Sequence, residues 1–193
     1  MIRTLVIGTS FGGIEALSQV LPLLPKDLPL AVLVVLHIGN TPNQLFIKHL
    51  NIACPMRVKE ADDKEPICPG TIYMAPPNYH LMVEPDETIS LSVDLKINHC
   101  RPAIDVLFET AAWTYRQKLM GLIMTGLNED GAKGLLTIKE LGGITLVQKP
   151  ENAMASFMPA SAFNTTHPHY VLHLHKIAET IVGLVRMSER VKG

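Results

Sequence analysis

Short apolar runs alternate with stretches of helical periodicity along most of the chain. Thr4–Gly8 reads as a first strand. Leu30-Ala-Val-Leu-Val-Val-Leu36 is apolar at every position, the pattern of a central parallel strand buried on both faces. Leu119–Met124 is another buried strand, Ile144–Val147 is a further strand, and Met56–Glu60, Thr71–Ala75 and Tyr170–Leu172 are shorter extended segments. His80–Glu84 and Thr88–Ser92, joined by Pro85-Asp-Glu, alternate as a hairpin does. Between these runs the pattern predicts helices. One covers Ile14–Leu24 and is ended by Pro25 and Pro29. The next starts at Thr41, with Thr41 as N-cap, Pro42 at the first helical position, and Leu45, Phe46, His49 and Leu50 on one face. Pro102 opens a third, with Asp105 in its first turn and Ile104, Leu107, Phe108, Ala111 and Ala112 as its apolar face. Others run from about Gly131 to Leu141, capped by Gly142-Gly143, from Pro159, and over Leu174–Val191. Strand–helix alternation with one hairpin predicts a three-layer α/β/α sandwich. Its sheet is mostly parallel and doubly wound, with an antiparallel β-hairpin attached, in a single domain over residues 1–193.

Composition sharpens this picture. With 47% hydrophobic and 18% charged residues, the sheet is expected to be covered on both faces. A net charge of -1 argues against a general nucleic-acid binder, which carries basic clusters. No apolar run reaches the length of a membrane span, and Met1-Ile-Arg3 leads directly into a strand rather than a secretory signal. Cys54, Cys68 and Cys100 show no close pairing motif, so they are expected to be reduced, ordinary buried or half-buried thiols of a cytoplasmic protein. His167, His169, His173 and His175 have no cysteine or acid beside them, and neither metal nor cofactor is expected.

Candidate chemistry gathers at strand ends, where open α/β sheets place their sites. Gly8-Thr-Ser10-Phe-Gly12 is a Gly-x-Ser-x-Gly turn between the first strand and the first helix, which can hold a hydroxyl above the sheet edge. His37 follows the second strand, and Asp130 follows the run Leu119–Met124. Serine, histidine and aspartate are the types needed for a nucleophile, its base and the acid that orients the base. Plainer roles fit the same residues: a tight turn at Ser10, a satisfied strand-end histidine at His37, and a helix cap at Asp130. Glu129 and Asp62 are rival acids. A dinucleotide site is disfavoured, because Ser10 replaces the middle glycine of the fingerprint and the second strand ends in His37 rather than an acid. The order Ser10, His37, Asp130 also differs from the serine–acid–histidine order of α/β-hydrolases.

Several segments, taken in order, carry a resemblance. They are Val6–Leu17, His37, Val58–Asp62, Pro69–Pro76, Arg101–Phe108, Met124–Ala132, Gln148 and Phe157–Pro159. Together they resemble the catalytic domain of the bacterial chemotaxis protein-glutamate methylesterase (CheB) family. The resemblance implies a serine esterase that hydrolyses methyl esters of receptor glutamates and releases methanol; some members also deamidate receptor glutamines. It assigns Ser10 as nucleophile, His37 as base and Asp130 as orienting acid. The backbone N–H groups of Phe11 and Leu127 are assigned to the oxyanion hole. The implied partner is the cytoplasmic helical domain of methyl-accepting chemotaxis receptors, and Arg101 is a candidate receptor contact. A base working as neutral imidazole predicts activity falling below about pH 6 to 7. The alternative is a non-catalytic receptor-binding adaptor that retains the fold. Family members usually carry an N-terminal receiver domain, which these residues do not contain; control is then expected from a separate receiver or kinase protein. Phe11 stands where threonine is usual, and Ile38-Gly39 where Met-Pro commonly follows the histidine.

Overall fold

The computed structural model describes residues 1–37 and 44–190. In chain order the strands are β1 (Thr4–Thr9), β2 (Ala31–Leu36), β3 (Arg57–Glu60), β4 (Thr71–Met74), β5 (His80–Val83), β6 (Ile89–Ser92), β7 (Leu119–Ile123), β8 (Ile144–Gln148) and β9 (Tyr170–Leu172). The helices are α1 (Gly13–Val20), α2 (Gln44–Ala53), α3 (Ile104–Tyr115), α4 (Ala132–Glu140), α5 (Phe157–Thr166) and α6 (Leu174–Arg190). The expected Thr41 cap, Pro42 and the end of the last helix at Val191 lie outside the described residues.

Seven strands form one parallel sheet in the order β3-β4-β2-β1-β7-β8-β9, and β5 and β6 form the antiparallel hairpin. Both faces are covered, as the continuous apolar runs require. Leu5, Ile7, Val32, Val34, Met120 and Leu122 point into a core shared with α1, α2 and α6. Their neighbours Val6, Leu33, Val35, Leu119 and Ile123 point into a second core with α3, α4, α5 and the hairpin. The expected sandwich is therefore the one that forms. Details differ where the local pattern was thin. On α2, Ile47 and Leu50 are buried, whereas Leu45 and His49 are exposed. α5 starts at Phe157, with Pro159 in its first turn, and α1 ends at Val20 in a short tighter turn over Leu21–Leu23.

The order of the sheet positions the site. From β1 the chain passes to β2 on one side, and later returns to β7 on the other, so the winding reverses at β1. Helices leave in opposite directions there and open a crevice at the carboxyl ends of the strands. Register aligns those ends: Thr9 pairs with Leu36, and Gly8 with Ile123.

Candidate active site

Ser10 is the first residue past β1 and is half-buried. Its N–H donates to the carbonyl of Thr125 at 2.9 Å, and its carbonyl accepts from Gly13 N–H at 2.8 Å. Gly12 takes a left-handed conformation, φ 79°, which closes the turn and which a residue without Cβ adopts at little cost. α1 starts immediately afterwards. Thr125, just past β7, knots this turn to its surroundings. Its hydroxyl donates to the carbonyl of Phe11 at 2.8 Å and accepts from Ala155 N–H at 2.8 Å, while its own N–H donates to Gln148 Oε1 at 3.0 Å. The serine turn, the end of β7 and the loop after β8 are thereby held as one unit.

His37 leaves β2 at the level where Ser10 leaves β1, and its N–H donates to the carbonyl of Thr9 at 3.1 Å. Its Nε2 lies 3.0 Å from Asp130 Oδ2, with the His37 side chain only 11% exposed and Asp130 fully buried. The approach is close but bent: by strict donor geometry Nε2 makes no linear hydrogen bond. The other ring nitrogen, Nδ1, faces Asn128 Nδ2 at 3.4 Å and Cys100 Sγ at 3.8 Å. Asp130 does cap a helix, but not the one that follows it. Its Oδ2 accepts from Ile104 N–H at 2.6 Å and its Oδ1 from Asp105 N–H at 3.2 Å, the first turn of α3. Asp105 returns the favour to α4, accepting from Gly134 N–H at 2.8 Å. Gly131, at φ 95°, lets Ile104 close in, since a Cβ there would sit 2.5 Å from Ile104 Cγ2. The rival acids lie elsewhere: Asp62 pairs with Lys59 at 2.7 Å, and Glu129 is exposed.

A tight turn before α3 completes the cluster. Ile97 and Cys100 exchange backbone hydrogen bonds of 3.2 and 2.8 Å around Asn98 and His99, both left-handed. Such a turn suits Asn, which tolerates positive φ. It delivers Asn98 Nδ2 to two carboxylates at once, Asp105 Oδ2 at 2.9 Å and Asp130 Oδ1 at 3.0 Å. It also swings Cys100 toward His37. Asn98, Asp105, Cys100, Thr125 and Asn128 are parts of this arrangement that residue patterns along the chain did not single out. Asn98→Ala is expected to destabilise the fold by about 1–3 kcal/mol, because two buried carboxylates lose a shared donor. Urea unfolding checks this, and an unchanged midpoint would show the bridge to be idle.

The electrostatics follow from these contacts. Burial works against charge on His37, but the contacts with Asp130 and Cys100 outweigh it and raise the ring's pKa from 6.5 to about 9. Burial likewise pushes Asp130 upward, yet His37, Ile104 N–H and Asn98 together hold its carboxyl below the usual aspartate range. Asp105 moves the other way, raised by burial and by the neighbouring Asp130 despite the Gly134 hydrogen bond.

The remaining expected positions fall as follows. Among the described residues, the N–H groups of Phe11, within the serine turn, and Leu127, two residues past the Thr125 that anchors it, have no hydrogen-bond partner, and both residues are exposed, 56% and 63%. Arg101 turns back onto its own chain: Nη1 donates to the carbonyls of Val93 and Asp94 at 2.6 and 3.0 Å. Cys54 is buried and Cys100 half-buried, but Cys68 is exposed, against expectation. In the histidine-rich tail, His169 Nδ1 accepts from Thr145 N–H at 3.1 Å, and the His173 and His175 rings stack 5.7 Å apart. Ile38-Gly39 lie outside the described residues. No described helix is long and apolar enough to cross a membrane.

Comparison with known proteins supplies a further line of evidence. A sequence profile of the CheB methylesterase family matches residues 5–181. A Leptospira interrogans protein, described provisionally as a protein-glutamate methylesterase/protein-glutamine glutaminase, is 47% identical over 94% of this chain and 94% of its own length. A Syntrophus aciditrophicus protein named protein-glutamate methylesterase/protein-glutamine glutaminase 2 is 36% identical over 95% of this chain, which spans 54% of that longer relative. The crystal structure of the Thermotoga maritima CheB methylesterase catalytic domain superposes with a TM-score of 0.91 at 33% identity, covering 95% of this chain and 99% of that one.

Proposed function

The chain belongs to the CheB methylesterase family, and from that premise we propose that it is a serine esterase acting on glutamate methyl esters of methyl-accepting chemotaxis receptors. The observation that carries the reading is the 3.0 Å contact of His37 with buried Asp130, at the strand ends beside Ser10. The cytoplasmic helical domain of a receptor is the proposed partner, which would place the protein in the cytoplasm.

The geometry suggests how the steps divide. Nε2 faces the carboxylate, so Nε2 carries the ring proton and Nδ1 is the nitrogen that receives the proton of Ser10. Asn128 Nδ2, now 3.4 Å from Nδ1, yields to the serine hydroxyl. As Ser10 Oγ attacks the ester carbonyl, the oxyanion is met by the N–H groups of Phe11 and Leu127, which have no partner among the described residues. The imidazolium returns its proton to the leaving methoxide, releasing methanol and leaving an acyl-enzyme. Water, deprotonated by Nδ1, then frees the glutamate. Deamidation of glutamine follows the same path with ammonia as leaving group, in keeping with the description of the relatives. Arg101 contacts the receptor, in this proposal, only through Nη2, since Nη1 is bound to backbone and Nε is buried.

The reading is tested by incubating the protein with a methylated receptor fragment and measuring methanol. Steady release supports the esterase. Binding of the fragment with no release over background would favour the adaptor instead.

The raised pKa of His37 revises the expected pH dependence. A base must be neutral to accept a proton, and an elevated pKa keeps the ring charged to higher pH. The kcat/KM for methanol release is therefore expected to climb with pH up to about 9 rather than level off above pH 6 to 7. A profile already flat between pH 7 and 9 would contradict that environment for His37.

A further inference from the structure

Among the described residues, one set of three metal-ligating side chains converges. His37, Cys100 and Asp130 each offer an atom, and these atoms lie within 4.8 Å of one another. The closest approaches are 3.0 Å from Nε2 to Asp130 Oδ2 and 3.8 Å from Nδ1 to Cys100 Sγ. These two approaches use opposite ring nitrogens, and one ion takes only one of them; tetrahedral zinc, with bonds of roughly 2.0–2.3 Å, needs ligand atoms about 3.3–3.7 Å apart, so a set lying within 4.8 Å closes on an ion once the ring and the Cys100 side chain turn toward it. A thiolate, an imidazole and a carboxylate suit zinc or cobalt. Magnesium and calcium, which take all-oxygen shells, are poorly served. Three protein ligands leave the fourth position of tetrahedral zinc to water or another small ligand. Outer contacts already steady the ligands: Ile104 N–H, Asp105 N–H and Asn98 Nδ2 hold the carboxylate, and Asn128 Nδ2 lies 3.5 Å from Sγ.

We propose that His37, Cys100 and Asp130 form a zinc-class cation site, and that its occupation switches the esterase off. Ligation through Nδ1 removes the lone pair that Ser10 needs. Ligation through Nε2 replaces the carboxylate contact that orients the ring. Either way the imidazole cannot act as base. The thiol proton of Cys100 leaves to solvent as the metal binds. The inhibitory half of the proposal rests on the serine-esterase reading; the binding half does not.

The test titrates the purified full chain with cobalt(II) chloride at fixed pH, reading the near-ultraviolet sulfur-to-cobalt charge-transfer band. In parallel, methanol release is measured with added zinc chloride and after EDTA. The wild type is expected to show the band and a zinc inhibition that EDTA reverses. Cys100→Ser and Cys100→Ala should lose the band and raise the inhibiting zinc concentration at least about tenfold, each compared with its own zinc-free rate. Cys54→Ser and Cys68→Ser should keep both properties. Ser10→Ala should keep the band, which separates metal binding from catalysis. A wild type without the band, a band that survives in both Cys100 variants, or zinc that leaves a working enzyme unaffected would overturn the proposal. A Cys100-dependent band in a protein that never releases methanol would uphold the metal site and sink the esterase reading alone.

Discussion

Ser10→Ala is expected to lower methanol release by about a million-fold while the protein stays folded. The loss is large because the neighbouring hydroxyls of Thr9 and Thr125 are tied to backbone carbonyls at 2.8 Å, and His37 without its serine has only water to activate. The fold survives because the turn is held by backbone. Ser10 N–H bonds to Thr125, its carbonyl bonds to Gly13, and no described residue hydrogen-bonds its Oγ. A change in stability beyond roughly 0.5 kcal/mol is not expected. Thermal unfolding alongside the assay separates the two effects. Methanol release at even a hundredth of the wild-type rate would remove Ser10 from the mechanism.

Asp130→Ala is expected to cost about ten-thousand-fold in turnover and, unlike Ser10→Ala, about 2–4 kcal/mol of stability. Two jobs meet in this carboxylate. It faces His37 Nε2, and it caps α3 through Ile104 and Asp105 N–H while accepting from Asn98. Removing it strands buried donors and leaves the imidazolium without a counter-charge. Asp130→Asn divides the roles. Its amide oxygen still accepts from α3, so part of the stability returns. Its amide has no charge to offer His37, so activity stays near the alanine level. Recovery of activity in step with stability would mean that Asp130 matters only as a cap.

How far the sequence spoke for itself depended on how local each signal was. The uninterrupted run Leu30–Leu36, short and rich in valine, reads as a strand buried on both faces, and β2 sits inside the sheet with both neighbours parallel. Glycines and prolines marked most ends. The face of α2 differs from the expected one because Leu45 has helical spacing to His49 but reaches no core, being 81% exposed, while Ile47 turns inward. Periodicity alone does not say which stripe meets the sheet. At the site, the strand-end rule singled out Ser10, His37 and Asp130, because it depends only on where apolar runs stop. Asn98, Cys100, Thr125 and Asn128 were invisible for the opposite reason. Their partners lie tens of residues away, as in Asn98 to Asp130 and Cys100 to His37. The cap made by Asp130 on α3, rather than on α4 beside it, belongs to the same class of contact.

Serine esterase chemistry here requires a covalent bond between Ser10 Oγ and the substrate's glutamyl carbon. The most direct measurement is an acid-quenched reaction with a methylated receptor peptide, digested and mapped by tandem mass spectrometry. The account predicts the peptide joined through an ester to Ser10, and no such adduct in Ser10→Ala. A thioester to Cys100, or methanol released by Ser10→Ala at the wild-type rate, would contradict it.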